Sequence, residues 1–167
     1  ASDVYKRQED TWAIEDMYAT VEDWEKDFAA AKKVAEEAAE YAGRLGESAQ
    51  ALYDWSVLTE KLDCMLSEIY GYASRVKDQD TADAAGQTLS ARAMGLYVEC
   101  SGLISFADPE ILSIPEEKLE AFYAEKPELL KYRRSINEVR RCKDHILSPE
   151  LEKILACLLY TSPSPRD

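Results

Sequence analysis

Histidine is almost missing from this chain: His145 is the only one. Catalytic zinc sites take three protein ligands, mostly His, Cys and carboxylate, and no His-Glu-x-x-His run is present to supply them. The carboxylate-and-histidine pattern of di-iron bundles fails for the same reason. A serine or cysteine nucleophile would depend on that one base, and no serine lies in a strand-turn-helix elbow. Glycine is scarce, at six residues, and forms no phosphate-cradling loop. No apolar run approaches the roughly 20 residues that span a bilayer, and no basic-then-apolar leader opens the chain, so neither a membrane partner nor export is expected. Basic residues are outnumbered, with Lys+Arg 20 against Asp+Glu 33 and a net charge of −13. Such a surface repels phosphate backbones, and nucleic acid is not expected as a partner. The four cysteines, Cys64, Cys100, Cys142 and Cys157, are widely spaced in helical patterns. That spacing predicts reduced, packed thiols in a cytoplasm and not a disulfide framework or a zinc knuckle.

Proline is absent before Pro109, which leaves the first 108 residues free to form long helices. With 46% hydrophobic and 32% charged residues, the 167-residue chain can bury a core as one domain or as part of a larger one. Val21, Trp24, Phe28, Ala31, Ala35, Ala38 and Ala42 recur at spacings of three and four, which is one stripe of a helix. Thr20 stands where the N-cap belongs, Glu22 and Asp23 suit the first turn, and Gly43 and Gly46 are expected to end the helix. A second helix opens near Ser48 with the stripe Leu52, Trp55, Leu58, Leu62, Met65, Ile69, Tyr72 and Val76. Nearly thirty residues long, it spans about 40 Å, with only Gly71 interrupting it. The polar run Lys77 to Thr81 is a turn. A third helix carries Leu89, Ala93, Leu96, Cys100 and Leu103 on one face. Its flank is rich in small residues (Ala84, Ala85, Gly86, Ala91, Gly95 and Gly102), which permits close helix approach. Short links between long helices predict antiparallel packing.

After Phe106 the helices shorten. Asp108-Pro109 reads as N-cap and first helical position, Pro115 opens a second short helix, Glu128 a third after Pro127, and Ser148-Pro149-Glu150 the last. The fold class expected is all-α: a three-helix bundle-like set of long antiparallel helices followed by several short ones. Trp24, Phe28, Trp55, Leu62 and Leu96 are expected in the core.

The chain begins with Ala1, not Met, so the native start is expected to be missing. Residues 1–8 and 157–167, the latter holding Pro163 and Pro165, resemble translated sequencing-adapter remnants. They are expected to be non-native flanks around a helical domain at 9–156, the alternative being a frayed natural tail.

No catalytic, cofactor-binding or metal residue is assigned. Lone His145, in a link between helices, reads as a hydrogen-bonded structural residue. Paired carboxylates are plentiful on acidic helices and read as a solvated face. The exception is a basic cluster: Lys131, Arg133, Arg134, Arg140, Arg141 and Lys143 lie together with only Glu138 and Asp144 against them. Two readings stand: docking on an acidic partner or another domain, or ion pairing with acidic helices of the same domain. Arg133, Arg140 and Arg141 are expected to share a face, with Ile136 and Val139 anchored in the core.

Several stretches resemble oligoendopeptidase F, a zinc peptidase family related to thimet oligopeptidase. Thr11-Trp12-Ala-Ile14-Glu-Asp16-Met-Tyr18 resembles that family's opening Trp-x-Leu-x-Asp-Leu-Tyr signature. Ile69-Tyr70-Gly-Tyr72-Ala73, then Asp78-x-Asp80-Thr81, resembles its Tyr-x-Tyr-Ala helix end and Asp-x-Asp-Thr turn. Ser105-Phe106, Pro109-Glu110-Ile-Leu112 and Ile114-Pro115-Glu-Glu resemble its next linker, and Arg140-Arg141-Cys-Lys143-Asp-His145-Ile-Leu147-Ser148 its Arg-x-Lys-x-His-x-Leu-Ser stretch. The likeness runs from about Trp12 to Ala156. It implies the helical N-terminal domain of a cytoplasmic zinc metalloendopeptidase that hydrolyses short peptides. In that chemistry zinc activates a water and the glutamate of His-Glu-x-x-His is the general base. None of those residues is here, so zinc belongs to the implied parent, whose missing C-terminal catalytic domain and oligopeptide substrate are the implied partners. The piece itself is expected to wall the substrate cleft and to be inactive alone. Tyr70, Tyr72, Asp78, Asp80 and His145 match family-typical positions without an assigned role. The alternative is a stand-alone helical module that binds a partner protein.

Overall fold

Thr20 and Ser48 begin the first two long helices as the sequence predicts. The Thr20 hydroxyl accepts from the Asp23 N–H at 3.2 Å, and the Ser48 hydroxyl from the Ala51 N–H at 3.1 Å. Each satisfies a backbone donor that has no partner inside its own helix. A computed structural model of the chain describes residues 13–141. Trp12, Cys142, Lys143, His145, Cys157 and the helix expected from Ser148 lie outside the described residues. The elements are a 3-10 turn at Ile14–Asp16, α1 (Val21–Ala39), α2 (Ala49–Gln79), α3 (Ala84–Ile104), α4 (Ala107–Ser113), α5 (Glu116–Glu125), a 3-10 segment at Pro127–Tyr132 and α6 (Arg133–Arg141). No strand occurs among the described residues.

The three long helices pack against one another around Trp24, Leu62, Ile69, Leu96 and Cys100. The ion pairs Lys32–Glu99 and Glu25–Arg92 advance by seven residues in both helices, so α1 and α3 run in the same direction. The connecting α2 runs against both. Close approach of α2 and α3 rests on Gly86, where an added Cβ would lie 3.1 Å from the Lys77 Cα. Of the other small residues proposed for that role, Ala84, Ala85 and Ala91 face solvent, and a Cβ added at Gly102 would meet nothing within 4 Å.

A second core forms where α2 begins. Leu45, Leu52, Ile111, Phe122, Leu129 and Ile136 gather there, joining the link after α1 to α4, α5 and α6. The Glu110 carboxylate pins that link by accepting from the backbone N–H groups of Gly43 and Leu45. Because α2 contributes to both cores, its rigid rod fixes the short helices relative to the bundle.

Five expectations need correction. Helix α1 ends at Ala39, earlier than Gly43 and Gly46 suggested, and Ala42 lies in the turns that follow. Gly43 takes a left-handed φ of 81°, a conformation cheap only for glycine, so it serves the turn after the helix. Helix α2 passes unbroken through Gly71 and runs to Gln79, shifting the turn toward Asp80–Asp83. Helix α4 starts at Ala107 with Phe106 as N-cap, not at Asp108-Pro109, because proline is tolerated throughout a first turn. The segment placed at Glu128 begins at Pro127 in 3-10 geometry and turns α-helical at Arg133. Finally, Trp24, Leu62 and Leu96 are buried, but Phe28 and Trp55 are only half-buried at the margins of the two cores.

Candidate functional site

The residues with a family-typical look prove mostly to be framework. Tyr18 and Tyr72 are buried and meet edge to face, with ring centres 5.2 Å apart. The Tyr18 hydroxyl donates to Asp27 at 3.0 Å, and burial raises its pKa before Asp27 adds to the shift. The Asp80 carboxylate accepts from the Ala82 N–H at 2.9 Å, which closes the turn between α2 and α3. The next helix is capped by Asp83, accepting from Ala85 and Gly86. Asp78 is exposed, and Tyr70 is 41% exposed with its ring on the outer surface. These placements explain the spacing of the motifs by packing and turn chemistry.

The basic cluster divides. Lys131 donates to Glu60 on α2 at 2.6 Å, and Arg133 to Glu120 on α5 at 2.7 Å while lying over the Tyr123 ring. These cations therefore pair with acidic helices of the same domain. Arg134 pairs with Glu138, one turn on, and its side chain is 91% exposed. Spacing placed Arg140 on one face with Arg133 and Arg141, and the structure does not. Arg140 turns inward and donates to the Ile114 carbonyl at 2.7 Å. Ile136 is buried and Val139 packs beside it, as expected.

A cleft of about 460 Å³ lies between α2 and the short helices. Two ridges of α2 form one wall: Trp55, Thr59 and Asp63, and Ser56, Glu60 and Cys64, each set at i, i+4 and i+8. Ile104, Ile111, Ile136 and Val139 make the opposite wall apolar. Glu60 accepts from Lys131 and from the Tyr132 hydroxyl at 2.7 Å, and the Lys131 bond holds its carboxyl below the usual range. Burial raises the Asp63 carboxyl instead. Trp55 meets Phe106 edge to face, and its buried indole N–H has no acceptor among the described residues. Sequence reasoning missed this cleft. Of its α2 residues, Trp55 was visible as part of the apolar stripe and the others only as the polar flank beside it.

The two described cysteines differ sharply. Cys64 is exposed at the cleft, whereas Cys100 is buried in the first core and burial pushes its thiol up to about 11. Since the thiolate is the nucleophile, only about one Cys100 thiol in a thousand is ionised at pH 8. Iodoacetamide in native buffer is expected to modify Cys64 and to reach Cys100 only after denaturant is added. Peptide mapping by mass spectrometry separates the two sites, and equal native labelling would contradict the first core.

Among the described residues, no three side chains of His, Cys, Asp or Glu stand close enough to hold a metal ion. No described helix is long and apolar enough to cross a membrane.

Comparison with known proteins agrees with the motif reading. A family profile described as Oligopeptidase F matches residues 110–166. Oligopeptidase PepF of Bacillus subtilis is 37% identical over 150 residues, covering 90% of this chain and 22% of that protein. Group B oligopeptidase PepB of Streptococcus agalactiae is 33% identical over 145 residues, covering 87% of this chain and 24% of its own length. The crystal structure of oligoendopeptidase-F from Enterococcus faecium superimposes with a TM-score of 0.75 at 26% identity, over 83% of this chain and 28% of that one. This all-helical chain thus matches the N-terminal region of an oligoendopeptidase F-like peptidase. It spans about a quarter of the length of the relatives it matches.

Proposed function

We propose that this chain is the helical N-terminal part of a cytoplasmic zinc metallo-oligoendopeptidase that hydrolyses short peptides. Its role is to wall the substrate cleft, and the zinc ligands and general base lie in the remainder of the parent. The single observation that carries this reading is the 37% identity to Oligopeptidase PepF across 150 residues. The described residues that match the family motifs serve packing and turn closure, the Tyr18–Tyr72 ring pair and the Asp80 turn among them, which supports a positioning role.

Two measurements test the reading. Sequencing the intact gene is expected to show the reading frame continuing beyond residue 156 into His-Glu-x-x-His. A natural stop codon there would favour a stand-alone interaction module. The purified chain is expected neither to cleave a quenched fluorescent peptide nor to retain stoichiometric zinc after dialysis. Cleavage that a chelator abolishes would move the active site into this segment.

A further inference from the structure

Helix α3 differs from its neighbours in where it keeps charge. Arg92 and Glu99 are its only charged residues, and both turn to α1, where they pair with Glu25 and Lys32. Leu89, Ala93, Leu96 and Cys100 face the first core. The face left over carries Gln87, Ala91, Met94, Val98 and Ser101, at alternating spacings of four and three, and holds no charge. Met94 and Tyr97 are 39% and 51% exposed there, and Tyr70 of α2 stands beside Met94 on one groove. The other long helices do not share this character: α1 exposes Lys33, Glu36 and Glu37, and α2 exposes Lys61, Glu68 and Asp78. Small residues of α3 belong to the uncharged face as well. Ala91 faces solvent, and a Cβ added at Gly102 would meet nothing within 4 Å. Neither brings a described helix closer, and both leave room for a backbone to approach from outside.

A helix that meets water on one side carries charge there, and one that lacks charge on every free side is buried. We infer that this outer face of α3, with Tyr70 at its edge, is an interface buried against the remainder of the parent peptidase. The inference rests on the reading of the chain as the N-terminal part of a longer protein, and it names the surface by which that part docks. Two observations select the occupant. The chain covers 22% and 24% of two relatives it matches, so a much larger body lies outside it in those proteins. The described residues also end beside α3. Val139, on the last described helix, and Ile104, the last residue of α3, line one cleft, so the chain that follows departs from the end of this helix. A second copy of the chain is disfavoured by a net charge of −13, which sets two acidic bodies against each other around a shared apolar patch. The partner surface is correspondingly uncharged, since a cation or carboxylate would lose water against Met94, Tyr97 and Val98 without gaining a partner.

The test compares the 167-residue chain with the intact parent expressed from the complete gene. Hydrogen peroxide oxidises exposed methionine, and mass spectrometry reads each site against a methionine peptide added to the same tube. In the chain, Met94 and Met17, 39% and 36% exposed, are expected to oxidise at similar rates. In the parent, Met94 is expected to oxidise about tenfold more slowly, because it reacts only when the interface opens. Met94→Glu supplies a second readout. It is expected to shift the thermal midpoint of the chain by less than about 2 °C and to lower that of the parent by several degrees, since it forces a charge into an apolar contact. The oxidation readout needs no variant, so it stands where the variant parent fails to fold. Equal oxidation of Met94 in chain and parent would overturn the inference, whether or not the chain forms dimers. So would a Met94 already much slower than Met17 in the chain, which would mean that residues 1–12 or 142–167 cover the face. An equal loss of stability in chain and parent on Met94→Glu would do the same. A natural stop codon after residue 156 would end the peptidase reading and the interface with it, whereas a continuing frame with Met94 still open would end this inference alone.

Discussion

Replacing Trp24 with alanine is expected to destabilise the chain by about 3–5 kcal/mol, the usual range for removing a large aromatic from a core. Trp24 is wholly buried between α1 and α2. Its indole N–H donates to the Ile69 carbonyl at 3.0 Å, a bond that joins the two helices directly. One side of the ring packs on Phe28 at 5.0 Å between centres, and the Arg92 guanidinium of α3 lies 5.2 Å from the indole. All three long helices therefore meet on this residue. Total stabilities of domains this size run to about 5–15 kcal/mol, so the loss is a large share of the whole. Trp24→Phe separates bulk from polarity, since it keeps most of the volume and loses the hydrogen bond. It is expected to cost about 1 kcal/mol for the bond, plus whatever cavity the smaller ring leaves. Urea denaturation of the three proteins decides the matter. A cost below about 1 kcal/mol for Trp24→Ala would show that α1 is not packed on α2 through this ring.

Reversing the charge of Arg140 is expected to cost about 2–4 kcal/mol, whereas reversing its neighbour Arg141 is expected to change stability by less than about 0.5 kcal/mol. The two side chains differ only in direction. The Arg140 guanidinium points inward to the Ile114 carbonyl at 2.7 Å, with the Ile111 carbonyl at 3.5 Å at the edge of bonding range. These carbonyls are the negative end of α4, where a cation is favoured and a carboxylate repelled. Arg140→Glu would thus remove a charge-assisted bond and set an anion against that end of the helix. Arg141 is exposed on the outer face of α6 beside Arg133 and Arg134. Thermal or denaturant unfolding of the two single variants tests the difference in this chain, with no further domain present. Equal effects would mean that Arg140 is not bonded to α4.

Much of the fold could be read directly. The proline-free first 108 residues, the caps at Thr20 and Ser48 and the apolar repeats at three and four residues lead to α1, α2 and α3 by local physics alone. The short helices were legible as elements but not at their starts. Proline fits any position of a first turn, so Pro109 marks a helix without fixing its beginning. The cleft was not legible. Its lining joins residues of α2 to residues some 40 to 80 positions later, and no local pattern records that meeting.

The family motifs show the same division. Their order and spacing were enough to indicate oligoendopeptidase F, because a turn closed by Asp80 and a ring pair such as Tyr18 with Tyr72 leave their residues in the sequence. The direction of each side chain was decided elsewhere. Arg140 and Arg141 are adjacent, equally charged and equally at home on a helix, yet one caps α4 and the other meets water. Asp63 and Glu60 are both acids of α2, yet the surrounding packing raises the Asp63 carboxyl while Lys131 lowers that of Glu60. Helix formation depends on neighbours within a few positions, so the sequence by itself determined the helices and their apolar faces. Pairing and burial of charge depend on groups far apart along the chain, and those only the tertiary structure decided.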